Sequence, residues 1–356
     1  MKKNSIQPSL FGATQDYSNT YKPLLTASVN GKGVLDVDTV KGCELGMKVR
    51  PGTGCYGECY ANKSASRYGR DFSKSVSRGL GSVNFKAVFS AVKNHYAAWY
   101  RIGVAGDPCH DWENTISVCE QLKPTLKTPV IITKHWRVLS DNQIARLKEC
   151  NAVINTSTSG LDTNQEMKHR VNQIKRLKDS GLASVNRVVT CNYGNSEWAL
   201  KAKEKQDYLL TILPVIDNPL RASRTNDRVV SGDIILTKRE DSVGGGKFVS
   251  LHNADVYLGS CKECPDQCGV DVSLILENKM FTTVHADQTC LFEDNIEWVY
   301  VESVIGSGYE NDVAVMAIED GIAKRAARKN MQIHSAVILK VNDDFSGFFT
   351  FQNNHE

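Results

Sequence analysis

The chain has 356 residues, a net charge of +3 and eleven cysteines, with 41% hydrophobic and 23% charged residues. That composition suits a globular chain able to bury a core without covalent staples, and a charge so near zero argues neither for nor against nucleic acid. No stretch approaches the roughly 20 apolar residues of a membrane helix, so no membrane role is expected.

Residues 1–33 read as a polar N-terminal extension. Its opening Met1-Lys2-Lys3-Asn4-Ser5 runs into Gln, Pro and Ser instead of an apolar stretch, which is no secretory signal, and a cytoplasmic location follows. A strand is expected over 34–40, then a Gly/Cys loop through Cys59. Residues 82–100 predict a helix with Phe85, Val88, Phe89, Val92, Tyr96 and Trp99 on one face. Next come a strand at 101–105, a helix at 111–123 and a strand at 128–133. A capping box, Ser140 with Gln143, opens a helix that runs to Cys150. A strand at 152–156 precedes a helix capped by Asp162 or Thr163, which carries Met167, Val171, Ile174 and Leu177 on one face and stops at Gly181. A strand at 185–191, a helix at 196–209 and a strand at 210–216 complete the run.

Six short strands alternating with amphipathic helices over 34–221 predict an α/β fold with a parallel sheet and right-handed crossovers. No Gly-rich dinucleotide fingerprint follows the first strand, which disfavours a Rossmann domain. A partial (βα)6 barrel fits better, with its chemistry at the C-terminal ends of the strands. Residues 222–250 are polar around Gly244-Gly245-Gly246 and read as a mobile loop or linker. Residues 222–356 as a whole read as a C-terminal α+β extension, with strands near 297–304 and 335–341 and a helix around 311–330. The basic run Lys324, Arg325, Arg328 and Lys329 at that helix's end reads as a solvated face in preference to a phosphate contact.

Cys119 and Cys150 fall on apolar helix faces and read as small core residues. Two other groups look chemical. Gly42-Cys43 and Gly54-Cys55-Tyr56-Gly57-Glu58-Cys59-Tyr60-Ala61 place three thiols on one Gly-rich loop. Three thiolates can ligate three irons of a [4Fe–4S] cube and leave the fourth iron open. The alternative is zinc, with His110 or a C-terminal cysteine as fourth ligand. The second group is Cys261, Cys264 and Cys268, spaced C-x2-C-x3-C, with Cys290 further on. Four thiolates there would close a zinc site or a second cluster; Cys290 is alternatively a hydrogen-atom donor or a core residue.

A cysteine loop after the first strand of a (βα)6 run, ending in Cys-Tyr-Ala, resembles the radical S-adenosylmethionine (SAM) superfamily. That family's usual C-x3-C-x2-C loop is here C-x11-C-x3-C, similar to atypical phage-encoded members. Ala105-Gly106-Asp107-Pro108 stands after the second strand, where the family carries the Gly-Gly-Glu-Pro motif whose backbone holds the amino group of SAM. The resemblance implies that Lys134, with His135, and Asn155, Ser157 and Ser159 are candidates for contacts to SAM or substrate. It further implies reductive cleavage of SAM to a 5′-deoxyadenosyl radical, fed by a one-electron reductant of flavodoxin or ferredoxin type. The 261–290 cysteines would then hold an auxiliary [4Fe–4S] cluster or zinc. A modified nucleobase, rearranged or tailored during phage DNA hypermodification in the host cytoplasm, is the favoured substrate. Peptide maturation is the alternative enzyme reading, and a zinc-stabilised nucleic-acid-binding protein is the non-catalytic one.

Overall fold

The computed structural model describes residues 23–50 and 54–271, together with strands at 299–303, 313–319 and 322–323. The chain divides into two compact units, Met1–Leu276 and Glu277–Glu356.

In the first unit, strands Leu35–Val37, Trp99–Ile102, Thr128–Thr133, Val153–Ser159, Ala183–Val189 and Val215–Asp217 run parallel. Their order in the sheet is their order in the chain, and Ala27–Val29 adds an antiparallel edge to make seven. Strictly sequential order carries every right-handed crossover over the same face. A doubly wound sheet would instead reverse its order part-way. The result is a mixed α/β fold with a mostly parallel sheet, compatible with a partial barrel.

Alternation along the strands separates two faces. Tyr100, Ile102, Ile131 and Ile154 pack among Ile116 and Leu122 of the helix Trp112–Leu122 and Leu147 of the helix Asp141–Glu149. Trp99, Val130, Val153, Val185 and Ile216 form a separate cluster with Cys268, against which Cys261 and Val270 also pack. Cys261, Cys264 and Cys268 therefore belong to the first unit, and their turn covers part of the sheet.

Local chemistry sets most boundaries. Ser140 and Gln143 exchange bonds of 2.9 and 3.2 Å at the start of Asp141–Glu149. Thr163 caps Asn164–Asp179 with Glu166 reciprocating, while Asp162 pairs with Arg170 instead. Other boundaries depart from expectation. The helix expected over 82–100 is Ser82–Asn94, because His95 is extended and Trp99 opens the next strand. The strand expected from 210 begins at Val215, since Leu209 and Leu210 finish the helix Glu197–Leu210. Unbroken apolar runs carry no period that separates the end of a helix from the start of a strand.

The 222–250 segment is also not a linker. It holds the helical turn Asp227–Val230, pairs Ile234–Ile235 with Asn192–Tyr193, and pairs Thr237–Lys238 with Phe248–Val249. Isolated anchors such as Ile234 and Val249, 3% and 0% exposed, fix a segment whose polar sequence shows no period.

The second unit contains Val299–Ser303 antiparallel to Val313–Glu319, which pairs in turn with Ile322–Ala323. A strand thus occupies part of the helix expected at 311–330; Val313, Val315 and Ile318 are β-branched and favour it. Cys290, the basic run 324–329 and the strand expected at 335–341 lie outside the described residues. Among the described residues, no helix is long and apolar enough to cross a membrane.

Candidate functional site

A cavity of about 900 Å³ is bordered by residues at or just after the C-terminal ends of the parallel strands, including Gly103, Lys134, Ser157 and Asp217. Both cysteine groups line it: Cys43, Cys55 and Cys59, and also Cys261, Cys264 and Cys268.

Cys43 precedes the helix Glu44–Val49, Cys55 opens the turn Cys55–Gly57, and Cys59 precedes the helix Tyr60–Arg67. The position of a Cβ on Gly46 would lie 2.8 Å from the Cys43 sulfur and 3.3 Å from the Cys55 sulfur. The equivalent point on Gly54 lies 3.6 Å from the Cys59 sulfur. Glycine at both positions leaves the thiols bordering open space, and all three are free. Among the described residues, no three His, Cys, Asp or Glu side chains close around a single point in the manner of a one-metal site. Burial pushes Cys43 well up from its ordinary pKa, with the Asp107 charge adding to it. Burial also raises Cys55, against the nearby Lys134 charge, and Cys59; Cys264 is pushed up to about 11. Thiols so placed keep their protons at neutral pH until a bound cation displaces them.

The 103–108 loop is braced against the cysteine loop. Asp38 accepts from the backbone N–H groups of Gly103, Val104 and Ala105 at 3.1, 2.8 and 3.1 Å. The Gly42 N–H donates to the Ala105 carbonyl at 2.9 Å. A Cβ on Gly106 would stand 2.6 Å from both the Gly42 and Val40 carbonyl oxygens, so a side chain there would part the two loops. The Asp107 carboxylate accepts from the Thr133 hydroxyl at 2.7 Å, the Lys134 N–H at 2.9 Å and the Cys109 N–H at 3.1 Å. Pro108 opens the turn Pro108–Asp111. Gly106 and Asp107 line the cavity, whereas Ala105 and Pro108 lie behind it.

Lys134 also lines the cavity. Its ammonium donates to the Tyr56 hydroxyl and sits 3.9 Å from that ring's centre. Burial and then the Arg170 charge lower its pKa. Arg170 pairs with Asp162 at 2.5 Å, each 2% exposed. Ser157 reaches the cavity. Ser159 is fully buried and donates to the Val189 carbonyl at 2.6 Å. Asn155 is fully buried too, and donates to the Cys268 carbonyl at 2.9 Å. His135 turns inward with φ 51°, and its Nε2 lies 3.0 Å from the Thr156 hydroxyl. Of the expected cofactor contacts, Gly106, Asp107, Lys134 and Ser157 border the cavity, and the others brace it.

The second cysteine turn is tied to the sheet by Gln267. Its amide donates to the Cys261 and Cys264 carbonyls at 3.1 and 2.7 Å and accepts from the Trp99 indole at 3.0 Å. Arg187 Nη1 stands 3.9 Å from the Cys268 sulfur. Sequence reasoning missed Lys32, Asp38, Tyr56, Arg187 and Arg221. Of these, Asp38 carried a signal, a carboxylate at the end of an apolar strand. No protein-family model matches the chain, and no curated protein matches it either.

Proposed function

We propose that the chain is a radical SAM enzyme in which Cys43, Cys55 and Cys59 ligate a [4Fe–4S] cluster with one open iron. The observation that carries this reading is the meeting of three free thiols and the Gly106 backbone at one cavity beyond a sequentially ordered parallel sheet. The donor chemistry fits: three cysteine thiols, none in a disulfide, line one cavity from a single glycine-rich loop, and a cluster with one open iron takes three thiolates. When bound, the cluster and SAM supply a 5′-deoxyadenosyl radical that takes a hydrogen atom from substrate carbon.

The chain's own residues bind and orient. Asp38 fixes the 103–105 backbone, and Gly106 allows that loop to lie against the cysteine loop. Lys134 offers a positive charge for a carboxylate, held in place by the Tyr56 ring. Gly106, Asp107 and Ser157 line the same cavity and would complete the border against SAM. The cavity has room for a second molecule beside SAM, and the substrate we favour is a modified nucleobase or the amino-acid group attached to it. Cys261, Cys264 and Cys268 hold a second cluster or zinc. A flavodoxin- or ferredoxin-type donor supplies the electron.

Anaerobic purification and reconstitution test the reading. About four irons per cluster and SAM-dependent 5′-deoxyadenosine are expected. Cys55→Ala and Cys59→Ala should each abolish its formation, and Cys264→Ala should spare it. A colourless protein holding only zinc would overturn the proposal.

A further inference from the structure

Among the described residues, three cations gather in the cavity without a carboxylate partner. Lys32, Arg187 and Arg221 all line it. Among the described residues none of the three makes an ion pair, although neighbouring charges do: Arg101 holds Asp36 at 2.9 Å, and Lys63 holds Glu58. The other carboxylates facing the cavity are engaged as well. Asp107 is braced as above, Asp217 accepts from Thr190 at 2.6 Å, and Asp266 sits within the second cysteine turn. Among the described residues, Arg187 donates to a neutral carbonyl, that of the Asn218 side chain, at 2.9 Å, and stands near the Cys268 sulfur.

Arg221 is the clearest case. Its Nε and Nη2, the two donors along one edge of the guanidinium, are buried and find no acceptor among the described residues. Above it runs Gly244-Gly245-Gly246, and a Cβ on Gly245 would lie 3.0 Å from Arg221 Cδ. The glycine run brings backbone without side chains close to this edge. Lys32, Arg187 and Arg221 lie close enough to repel one another, and the Cys261 sulfur is a neighbour that offsets this. Buried donors without acceptors and clustered like charges are both costly, so the arrangement is fitted to an anion that arrives from outside.

We propose that Lys32, Arg187 and Arg221 form a subsite for a phosphate oxyanion of the substrate. Guanidinium edges match phosphate oxygens two at a time, and three cations suit a group carrying up to two negative charges. The proposal deepens the reading above, because it makes the cavity's second molecule a nucleotide or a DNA strand. Its test does not depend on radical chemistry.

Full-length reconstituted protein is titrated calorimetrically with inorganic phosphate, then with thymidine, thymidine 5′-monophosphate and a short single-stranded oligonucleotide. Phosphate should bind, and the monophosphate should bind more tightly than thymidine. Arg221→Gln should weaken phosphate at least about tenfold, and Arg221→Lys, which keeps the charge but loses the two-point edge, should recover only part of that affinity. Displacement of phosphate by the oligonucleotide assigns the site to a backbone diester; displacement by the monophosphate alone assigns it to a terminal ester. Equal affinity for phosphate in the parent and in Arg221→Gln overturns the proposal. So does loss of metal from the second cysteine group in Arg221→Gln with phosphate binding unchanged, which would make the cations partners of that centre. Phosphate binding at these residues by a protein that cleaves no SAM would sink the radical reading and leave the subsite standing.

Discussion

Gly106 and His135 are neighbours of the site whose roles the sequence only half reveals. The Ala-Gly-Asp-Pro stretch is visible as a motif, but nothing local says that Gly106 lies against the carbonyls of Val40 and Gly42. Those oxygens belong to backbone and cannot swing aside. Gly106→Ala should therefore cost about 1–3 kcal/mol in stability, as overpacking does, and should weaken SAM binding. Denaturant titration and equilibrium dialysis with SAM check the two effects, and unchanged values for both would show that the loops are not closely joined. His135 reads as a rim residue because it follows Lys134, yet its left-handed backbone turns the ring into the interior. Burial holds its pKa down at about 3, against about 6.5 in an unfolded chain. Below pH 6.5 the unfolded chain takes up a proton that the folded one refuses. The stability present above 6.5 should fall by about 1.4 kcal/mol per pH unit as the pH drops toward 3. His135→Asn keeps a residue that tolerates positive φ and should flatten this slope between pH 7 and 5 in urea melts. A parental slope in the variant would mean that His135 is not the group responsible.

At the level of elements, whatever is decided within a few residues was legible. Ser140 with Gln143 and Thr163 with Glu166 mark helix starts because the capping bonds span three positions. What depends on distant packing was not. The segment at 222–250 has no period, yet it pairs with Asn192–Tyr193 and closes over the cavity through Ala222, Ser223 and Gly244-Gly245-Gly246. The second cysteine turn hangs on the middle of the Val153–Ser159 strand through Asn155. Asparagine at a strand end reads as a rim contact, and only the fold shows that its partner is the Cys268 carbonyl. Asn155→Leu would leave that carbonyl unpaired, at a cost of about 1–3 kcal/mol. Iron and zinc analysis should show depleted metal at the second group, while 5′-deoxyadenosine formation through Cys55 and Cys59 persists. Full metal content in the variant would show that the turn holds its shape without the strand.

Across the whole molecule, the sequential strand order does more than set handedness. It stacks the helices on one side of the sheet and leaves the strand ends free to border a cavity, whose remaining wall must come from later in the chain. The beat of six strands made the first half of that arrangement readable. The second half rests on single anchors such as Leu220, Val249 and Leu258 in otherwise polar sequence, and so was not. The two halves should differ in local stability. Every residue of Val153–Ser159 is buried, and its seven positions pair in register with Ala183–Val189. The 236–247 stretch is mostly exposed and held by the two-residue pair of Thr237–Lys238 with Phe248–Val249. Protection against amide exchange follows burial and cooperative pairing. Native-state exchange read by mass spectrometry should find 153–159 and 183–189 opening only with global unfolding. Peptides from 236–247 should exchange by local opening at far lower free energy. The cavity wall nearest Arg221 would then be its most easily opened part, which is where a phosphate-bearing substrate has to displace Gly244-Gly245-Gly246. Equal protection in the two regions would contradict this, and would require the substrate to enter on the side of Cys59 and Lys63 instead.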